Sequence, residues 1–331
     1  MKKTLISAAL ALGFAGAAQA QMSLYGLIDM SYGKSLLGEV FLQEKADFHS
    51  GGDNGSSEGN STTRIGIKGS TDLGGGIKGN FKFETGGIES SGTVNGGGAF
   101  FNRQAWAGFS GGFGEVRLGR QDSVSFQTMI DFDFNGASNG VSAGAYAGVG
   151  VWLPGRQSRS LQYITPDLGG VTAQIGFVPK GNAGPGGKNV FSAGVKYGTG
   201  PLLVGASFQT KAATGAQNFG SLAGSYDFGV AKVMLGYADG GKFAEGGSGD
   251  GPTFGVNVPV AGFNIGMHYS QNMDDDLKLK SAEVWVNKEI FKNTYGYVEA
   301  GNWKTSLAVN PLDPAGKTKG TAYAVGVIWV F

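Results

Sequence analysis

The stretch DFDFNG, residues 131 to 136, contains residue types that could hold a cation. Asp131 and Asp133 place carboxylates at alternate positions before Gly136, as at the start of a calcium-binding EF-hand loop. That loop needs a bidentate Glu at its twelfth position, where this chain has Ser142, and it lies between two helices. The residues that follow are nearly all Gly, Ala, Ser and Val. The pattern favours solvated loop acids, so no metal or other cofactor is expected. A third interpretation, acids inside a pore, depends on the elements around them.

The first twenty residues have the parts of a secretory signal peptide. A basic start at Lys2 and Lys3 leads into a short apolar run and then to an A-x-A site that ends at Ala20. A membrane-spanning helix needs about 20 apolar residues, and this run is shorter and contains Gly and Ser. We therefore expect cleavage after Ala20 and a mature chain of residues 21–331.

The composition excludes several classes of protein. There is no cysteine, so disulfides, thiolate metal sites and cysteine nucleophiles are unavailable. Glycine supplies 62 of the 331 residues without the strict period of collagen. The aromatic content of 11% is too high for a flexible linker, and a mean hydropathy of −0.07 is too polar for helical membrane spans. Because 26 basic residues nearly balance 25 acidic ones, nothing suggests a nucleic-acid partner.

Alternation of apolar and polar residues decides the fold class. In GFNIGMHYSQN, residues 262–272, Phe263, Ile265, Met267 and Tyr269 share one parity, and polar or small residues share the other. This period of two is typical of a strand with two different faces. The same alternation recurs along the chain, and no segment after residue 20 shows a helical period.

About sixteen such runs can be counted, each near the ~10 residues that cross an outer membrane as a tilted strand. Short turns follow the even-numbered runs and long polar loops follow the odd-numbered ones, as in a barrel whose chain starts and ends on the periplasmic side. A soluble β-sandwich also has alternating strands, but polar faces rich in Arg, Lys, Glu and Asn suit a water-filled lumen better. The sequence therefore predicts one all-β domain, a transmembrane antiparallel β-barrel. The approximate runs are 23–33, 61–70, 77–86, 100–110, 115–121, 158–165, 171–180, 189–198, 201–211, 218–226, 230–239, 251–260, 262–273, 278–288, 293–303 and 318–331.

The last run, TAYAVGVIWVF, has an apolar face that ends in aromatic residues. Tyr323, Val325, Val327, Trp329 and Phe331 share one parity, which fits an outward face with an aromatic belt. A terminal Phe on such a strand is similar to the signal by which outer-membrane assembly machinery recognises its clients. We therefore expect Phe331 to be an assembly signal.

Four segments carry a resemblance to a known family: SLYGLIDMSYG (23–33), TRIGIKGSTDLGGGIKGNFKFETG (63–86), FNRQAWAGFSGGFGEVRLGRQ (101–121) and RSLQYITPDLGG (159–170). They resemble the general porins of Gram-negative bacteria, in the form typical of β-proteobacteria. The second half of the chain matches mainly by strand rhythm and the terminal Phe, and Trp329 stands where this family often has His.

The resemblance implies a homotrimer of sixteen-stranded barrels in outer-membrane lipid, a multi-pass protein that lets small hydrophilic solutes and ions diffuse passively. The third external loop, here residues 122–155, would fold inward and narrow each pore. It implies a constriction with opposed charges, which would sort solutes by size and charge. The implied basic wall is Arg64, Arg103, Arg120 and Arg156, and the implied acidic side is Glu84, Asp122, Asp131 and Asp133.

Alternation gives an independent test of the arginines. Arg64 and Arg156 lie on the polar parity of their runs, so both are predicted to point into the lumen, and Arg103 is opposite in parity to Trp106. Arg120 shares parity with apolar neighbours, so only a strand end or a bulge would turn it inward. By alternation alone, Arg117 is the lumen residue of that run.

Three other functions compete with a general pore. An outer-membrane enzyme needs a nucleophile with a positioned base, but the chain has only His49 and His268 and no G-x-S-x-G motif, so no enzymatic activity is expected. A substrate-specific channel, for a sugar or an organic anion, stays open because Tyr146 and Trp152 could form an aromatic path. A structural or adhesive barrel is the third possibility.

Overall fold

The computed structural model describes residues 21–36, 45–94, 98–180, 187–241, 249–308 and 316–331. The expected signal peptide, residues 1–20, lies outside the described residues. Sixteen long strands match the sixteen expected runs in number and order, and one short strand, β2, is additional. The strands are β1 (Gln21–Lys34), β2 (Asp47–Ser50), β3 (Arg64–Gly74), β4 (Ile77–Gly86), β5 (Gln104–Gly111), β6 (Gly114–Asp122), β7 (Arg156–Ile164), β8 (Val171–Val178), β9 (Val190–Thr199), β10 (Leu202–Gln209), β11 (Phe219–Asp227), β12 (Lys232–Asp239), β13 (Asp250–Val260), β14 (Phe263–Gln271), β15 (Leu279–Phe291), β16 (Thr294–Thr305) and β17 (Lys319–Val330).

The sheet is antiparallel and closes on itself through β1. The last strand, β17, pairs with β1 from Leu27 opposite Val330 to Lys34 opposite Tyr323. The first half of β1 pairs with β3, and its second half pairs with the short β2. Every long strand therefore has a neighbour on both sides, and the predicted barrel is confirmed.

The apolar face of the strands lies on the outside of the barrel and the polar face on the inside, the reverse of a water-soluble protein. On β14, Phe263, Ile265 and Met267 are exposed on the outside, whereas His268 and Ser270 are buried on the inside. The predicted apolar face of β17 is also exposed, and Trp329 has 50% of its surface accessible. An apolar outer surface of this extent is unfavourable in water but is solvated by lipid.

The connections follow the predicted short and long rhythm. The β3–β4 turn is Gly75-Gly76, with φ of 62° and 77°, which is backbone that glycine adopts without steric cost. The long connections lie at the opposite end of the barrel, and residues 123–155, between β6 and β7, form one of the longest. We call residues 123–155 the inner segment.

The inner segment contains two short helices and a 3₁₀ turn. They are α1 (Val124–Met129), the turn Ile130–Phe132 and α2 (Ala143–Ala147). Outside this segment, the turn Asp53–Ser56 has left-handed backbone at Asn54 and Gly55, with φ of 51° and 69°. Ser123 and Ser142 cap α1 and α2 by accepting backbone N–H bonds from Phe126 and Ala145. Helices of five or six residues are too short to produce a visible period in the sequence. No helix in the described ranges is long and apolar enough to cross a membrane.

An apolar core lies between the inner segment and the inner face of the barrel wall. From the segment, Met129, Phe132 and Tyr146 are buried, and they pack with Met234 and Trp303 of the wall. The ring of Tyr146 stacks on that of Trp303 at 5.3 Å between centroids. Helix α1 contacts β8, β9 and β10, whereas α2 contacts β14, β15 and β16. Burial of these rings therefore fixes the segment against that half of the wall.

Candidate functional site

The four predicted arginines lie on neighbouring strands at one end of the sheet. Arg64 begins β3, Arg103 immediately precedes β5, Arg120 lies in β6 and Arg156 begins β7. Strand pairing places Asp122 opposite Arg156 and Ala105 opposite Arg120. The charges of Arg64 and Arg156 each interact with that of Arg103. The structure therefore brings these four arginines together, and we call them the arginine group.

Glu84 lies within the arginine group. Its Oε1 accepts a hydrogen bond from Arg103 Nε at 2.5 Å, and its Oε2 accepts one from the Tyr25 hydroxyl at 2.7 Å. Lys82 Nζ lies 3.6 Å from Oε2. Because the Glu84 side chain is only 5% exposed, its carboxylate fixes Arg103 in one position.

Asp122 is the second acid among the arginines. Its Oδ1 lies 3.1 Å from Arg156 Nε across the β6–β7 pair. Arg64 is held differently, since it donates to Ser61 Oγ at 3.1 Å and to the Thr62 carbonyl at 3.0 Å. None of the ion pairs formed between described residues includes Arg64. Four guanidiniums therefore meet two carboxylates, and the group carries excess positive charge.

Arg120 joins the group because of a bulge. The register between β6 and β7 shifts between Gly119 and Gln121, and Gly119 has a φ of 142°. The Arg120 guanidinium donates to Ser158 Oγ at 2.6 Å and to the Asn102 carbonyl. Alternation placed Arg120 outward unless a strand end or a bulge turned it; the register against β7 shifts here, whereas the pairing of Arg120 with Ala105 on β5 is regular.

Arg117, the alternative to Arg120, also lies on the inner face. Its Nη2 is 2.6 Å from Glu115 Oε2, and its Nη1 donates to Gln127 of α1 at 3.2 Å. The guanidinium lies over the Trp106 ring at 4.5 Å. Glu115 therefore neutralises Arg117 locally, in contrast to Arg64.

The prediction for Arg103 relied on a wrong direction for Trp106. It took Trp106 to face outward, but Trp106 is 8% exposed and its indole donates to Gln104 Oε1 at 3.0 Å. Trp106 faces inward because its indole finds both this acceptor and the Arg117 cation there. The position of Arg103 follows from its contact with Glu84, since Arg103 lies just before β5.

The two acids of DFDFNG lie apart from the arginine group. Asp131 Oδ2 is 2.6 Å from Lys196 Nζ on β9, and the Asp131 side chain is 47% exposed. Asp133 is buried, and its Oδ2 accepts a hydrogen bond from Trp152 Nε1 at 3.1 Å. Of the three acids predicted in the loop, the structure brings only Asp122 to the arginines.

Several residues of the site were missed by sequence reasoning. Tyr25, Lys82 and Lys196 contact Glu84 or Asp131, and Lys68 and Lys82 lie over the Tyr25 ring at 5.3 and 5.4 Å. The parity of Lys68 and Lys82 could have placed them inside the barrel. No sequence signal links Tyr25 to Glu84, because 59 residues separate them.

Comparison with known proteins gives consistent matches over most of the chain. A family model described as Gram-negative porin matches residues 7–327. Outer membrane porin protein 32 of Delftia acidovorans is 30% identical, over 94% of this chain and 88% of the relative. An outer membrane porin protein of Bordetella pertussis is 33% identical, over 72% of this chain and 69% of the relative.

Solved structures show the same fold. An anion-selective porin from Comamonas acidovorans aligns with a TM-score of 0.71 at 24% identity, covering 95% of this chain and 100% of that one. OmpF of Salmonella typhi in complex with daunomycin aligns with a TM-score of 0.67 at 16% identity, covering 94% of this chain and 98% of that one.

Proposed function

The chain belongs to the Gram-negative porin family, and from that premise we propose that the arginine group, with Glu84 and Asp122, forms the constriction of its pore. The protein is an outer-membrane porin, a closed barrel that encloses a water-filled channel for small hydrophilic solutes and ions. Members of this family are channels rather than enzymes.

The observation that carries the proposal is the unequal charge of the group. Four guanidiniums and two carboxylates lie at one end of strands β3 to β7, and the carboxylates pair with Arg103 and Arg156. Fixed charges that line a narrow aqueous pore attract mobile ions of the opposite sign. We therefore infer a pore that favours anions over cations. Asp133 is left out of this lining because its side chain is 0% exposed.

The opposite side of the pore is assigned to the inner segment. The two helices of the segment pack on the inner face of β8 to β10 and β14 to β16, and Asn139 and Gly140 bond to the backbone of residues 59–60, just before β3. The arginine group lies on β3 to β7. The remaining passage then runs between them. Tyr146 and Trp152 are buried, so neither supplies the exposed aromatic path that a sugar-specific channel would use. A general diffusion pore is therefore preferred.

Single-channel recording in planar bilayers tests the pore and its ion preference. With a potassium chloride gradient, we expect a steady conductance and a reversal potential whose sign shows chloride passing more easily than potassium. If the protein assembles as the expected homotrimer, each insertion should close in three equal steps. An absence of conductance would contradict the pore, and a cation-selective reversal potential would contradict the assigned constriction.

Phe331 is proposed to be the residue that the assembly machinery recognises. Its backbone N–H donates to the Gly26 carbonyl at 3.1 Å, and its carbonyl accepts from Gly26 N–H at 2.9 Å. Phe331→Ala keeps both backbone bonds, so refolding into detergent should proceed normally, whereas the amount in outer-membrane fractions should fall several-fold. Trp329→Ala, a neighbouring aromatic on the same face, is the matched control. Equal outer-membrane levels for both variants and the parent would refute the role of Phe331.

A further inference from the structure

Three buried side chains meet where the inner segment crosses β14 and β15. They are Asp133 of the segment, His268 of β14 and Glu283 of β15, whose side chains are 0%, 3% and 0% exposed. His268 Nδ1 lies 3.5 Å from Glu283 Oε1 and 3.9 Å from Asp133 Oδ1. One ligand atom from each residue falls within 4.8 Å of the other two. We call these residues the His268 cluster.

Among the described residues, no lysine or arginine pairs with the two carboxylates of the cluster. Within the described part of the chain, the ion pairs that involve Asp133 and Glu283 are those with His268. A buried carboxylate without a compensating cation is unfavourable by several kcal/mol. A neutral imidazole compensates neither acid, and a singly charged one compensates only one of the two. A divalent cation would balance both.

The imidazole of His268 is oriented as a metal ligand would be. Its Nε2 contacts Thr253 Oγ1, which also lies 2.8 Å from Ser270 Oγ. If the threonine hydroxyl donates to Ser270, it accepts the proton of Nε2, and the lone pair of the ring then lies on Nδ1. Nδ1 is buried and makes no hydrogen bond to any residue that the structure describes; it faces the two carboxylates, with Glu283 Oε1 at 3.5 Å. This nitrogen is the unpartnered atom that points to a ligand.

Neutral donors hold the carboxylates without neutralising them. Glu283 accepts from the Ala143 backbone N–H at 2.9 Å and from Asn135 Nδ2 at 2.8 Å. Asp133 accepts from the Trp152 indole through Oδ2 and from the Asn135 backbone N–H at 3.2 Å through Oδ1, which lies 3.9 Å from His268 Nδ1. Outer partners of this kind fix the direction of metal-binding carboxylates and histidines.

We propose that the His268 cluster binds a divalent transition metal of the zinc type through Asp133 Oδ1, His268 Nδ1 and Glu283 Oε1. Bonds of about 2.0–2.2 Å separate neighbouring ligands of tetrahedral zinc by about 3.3–3.6 Å, so the separations from Nδ1 need to close by a few tenths of an ångström at most. Solvent would take the fourth position. An imidazole ligand and only two carboxylates favour such a metal over calcium, which takes six to eight oxygens. The metal would join the inner segment to β14 and β15.

Calorimetric titration of the folded, chelator-treated protein in detergent with zinc chloride tests the site. We expect one zinc per chain and an affinity for zinc at least about tenfold tighter than for calcium. His268→Gln and Glu283→Gln should each weaken zinc binding at least about tenfold. His49→Gln is the matched control, because His49 is the other histidine of the chain and also lies near two acids, Asp53 and Glu58.

Two further measurements keep the test decisive if a variant fails to fold. Circular dichroism and heat-modifiable gel mobility report whether each barrel is intact. Visible absorption of the unsubstituted protein with cobalt, a spectroscopic substitute for zinc, should show four-coordinate metal without any variant. No zinc binding, equal weakening by His49→Gln and His268→Gln, or preference for calcium would overturn the proposal. None of these readouts depends on ion conduction, so failure here leaves the proposed pore untouched.

Discussion

Replacement of Arg64 and Arg103 by glutamine should shift the ion preference of the pore strongly toward cations. Both guanidiniums belong to the arginine group, and their loss leaves Arg120 and Arg156 against the same two acids. A charge a few ångströms from a passing ion contributes about 1–4 kcal/mol at effective dielectrics between those of water and a protein surface. Since about 1.4 kcal/mol corresponds to a factor of ten, the anion-to-cation permeability ratio should fall by on the order of tenfold. Reversal potentials under a dilute salt gradient measure this ratio.

Arg117→Gln is the matched control for a single Arg64→Gln substitution. Arg117 is the same residue type on the inner face, but Glu115 already compensates it at 2.6 Å. We expect a clearly smaller shift for Arg117→Gln than for Arg64→Gln. Both shifts should shrink near 1 M salt, where the Debye length is about 3 Å. If the double variant keeps the parent reversal potential in dilute salt, these arginines do not form the constriction.

Replacement of Trp303 by alanine should release the inner segment while the barrel remains closed. The indole is 1% exposed and stacks on Tyr146 of α2 at 5.3 Å. Truncation of a buried Trp to Ala typically costs about 3–5 kcal/mol. The hydrogen bonds between strands do not involve this ring. Most of the lost free energy therefore comes from the packing of α2 against the wall. Single-channel currents should therefore become noisy, with frequent transitions to a higher conductance.

Trp329→Ala separates this effect from a general loss of tryptophan. Trp329 faces outward and is 50% exposed, so its removal leaves the inner core unchanged. Heat-modifiable gel mobility should show folded barrels for both variants. Steady parent-like currents from Trp303→Ala would show that the inner segment is held by other contacts.

The sequence was sufficient for the barrel because each strand carries its own signal. The alternation of β14 and β17 reports directly which side faces lipid, and this requires no knowledge of other strands. The inward directions of Arg64 and Arg156 followed from the same local rule. Arg120 did not, since its direction depends on the backbone of Gly119 and on a register shift against β7. The residues of one strand do not show in which register the neighbouring strand pairs with it.

The inner segment was the hardest part to predict because its partners are distant in sequence. Asp131 meets Lys196, which is 65 residues away, and Asn135 meets Glu283, which is 148 residues away. DFDFNG resembles a metal-binding loop, yet its two acids contact different parts of the barrel wall. Asp131 lies against β9, and Asp133 lies against β14 and β15. The spacing of residues in the sequence predicts a metal site only when all of its ligands come from one segment. The His268 cluster contains one residue from each of three segments.

The attachment of the inner segment also sets an order of events during biogenesis. The segment follows β6, but its docking surface includes Trp303 of β16 and Glu283 of β15, near the other end of the chain. Contacts of such long separation form late, because the intervening loop must first be closed. A partly assembled barrel would therefore lack the proposed constriction and would leak if it opened to both sides of the membrane. The inner segment reaches its full docking surface only when the same late strands approach the β1–β17 seam, so closure of the wall and formation of the proposed constriction occur together.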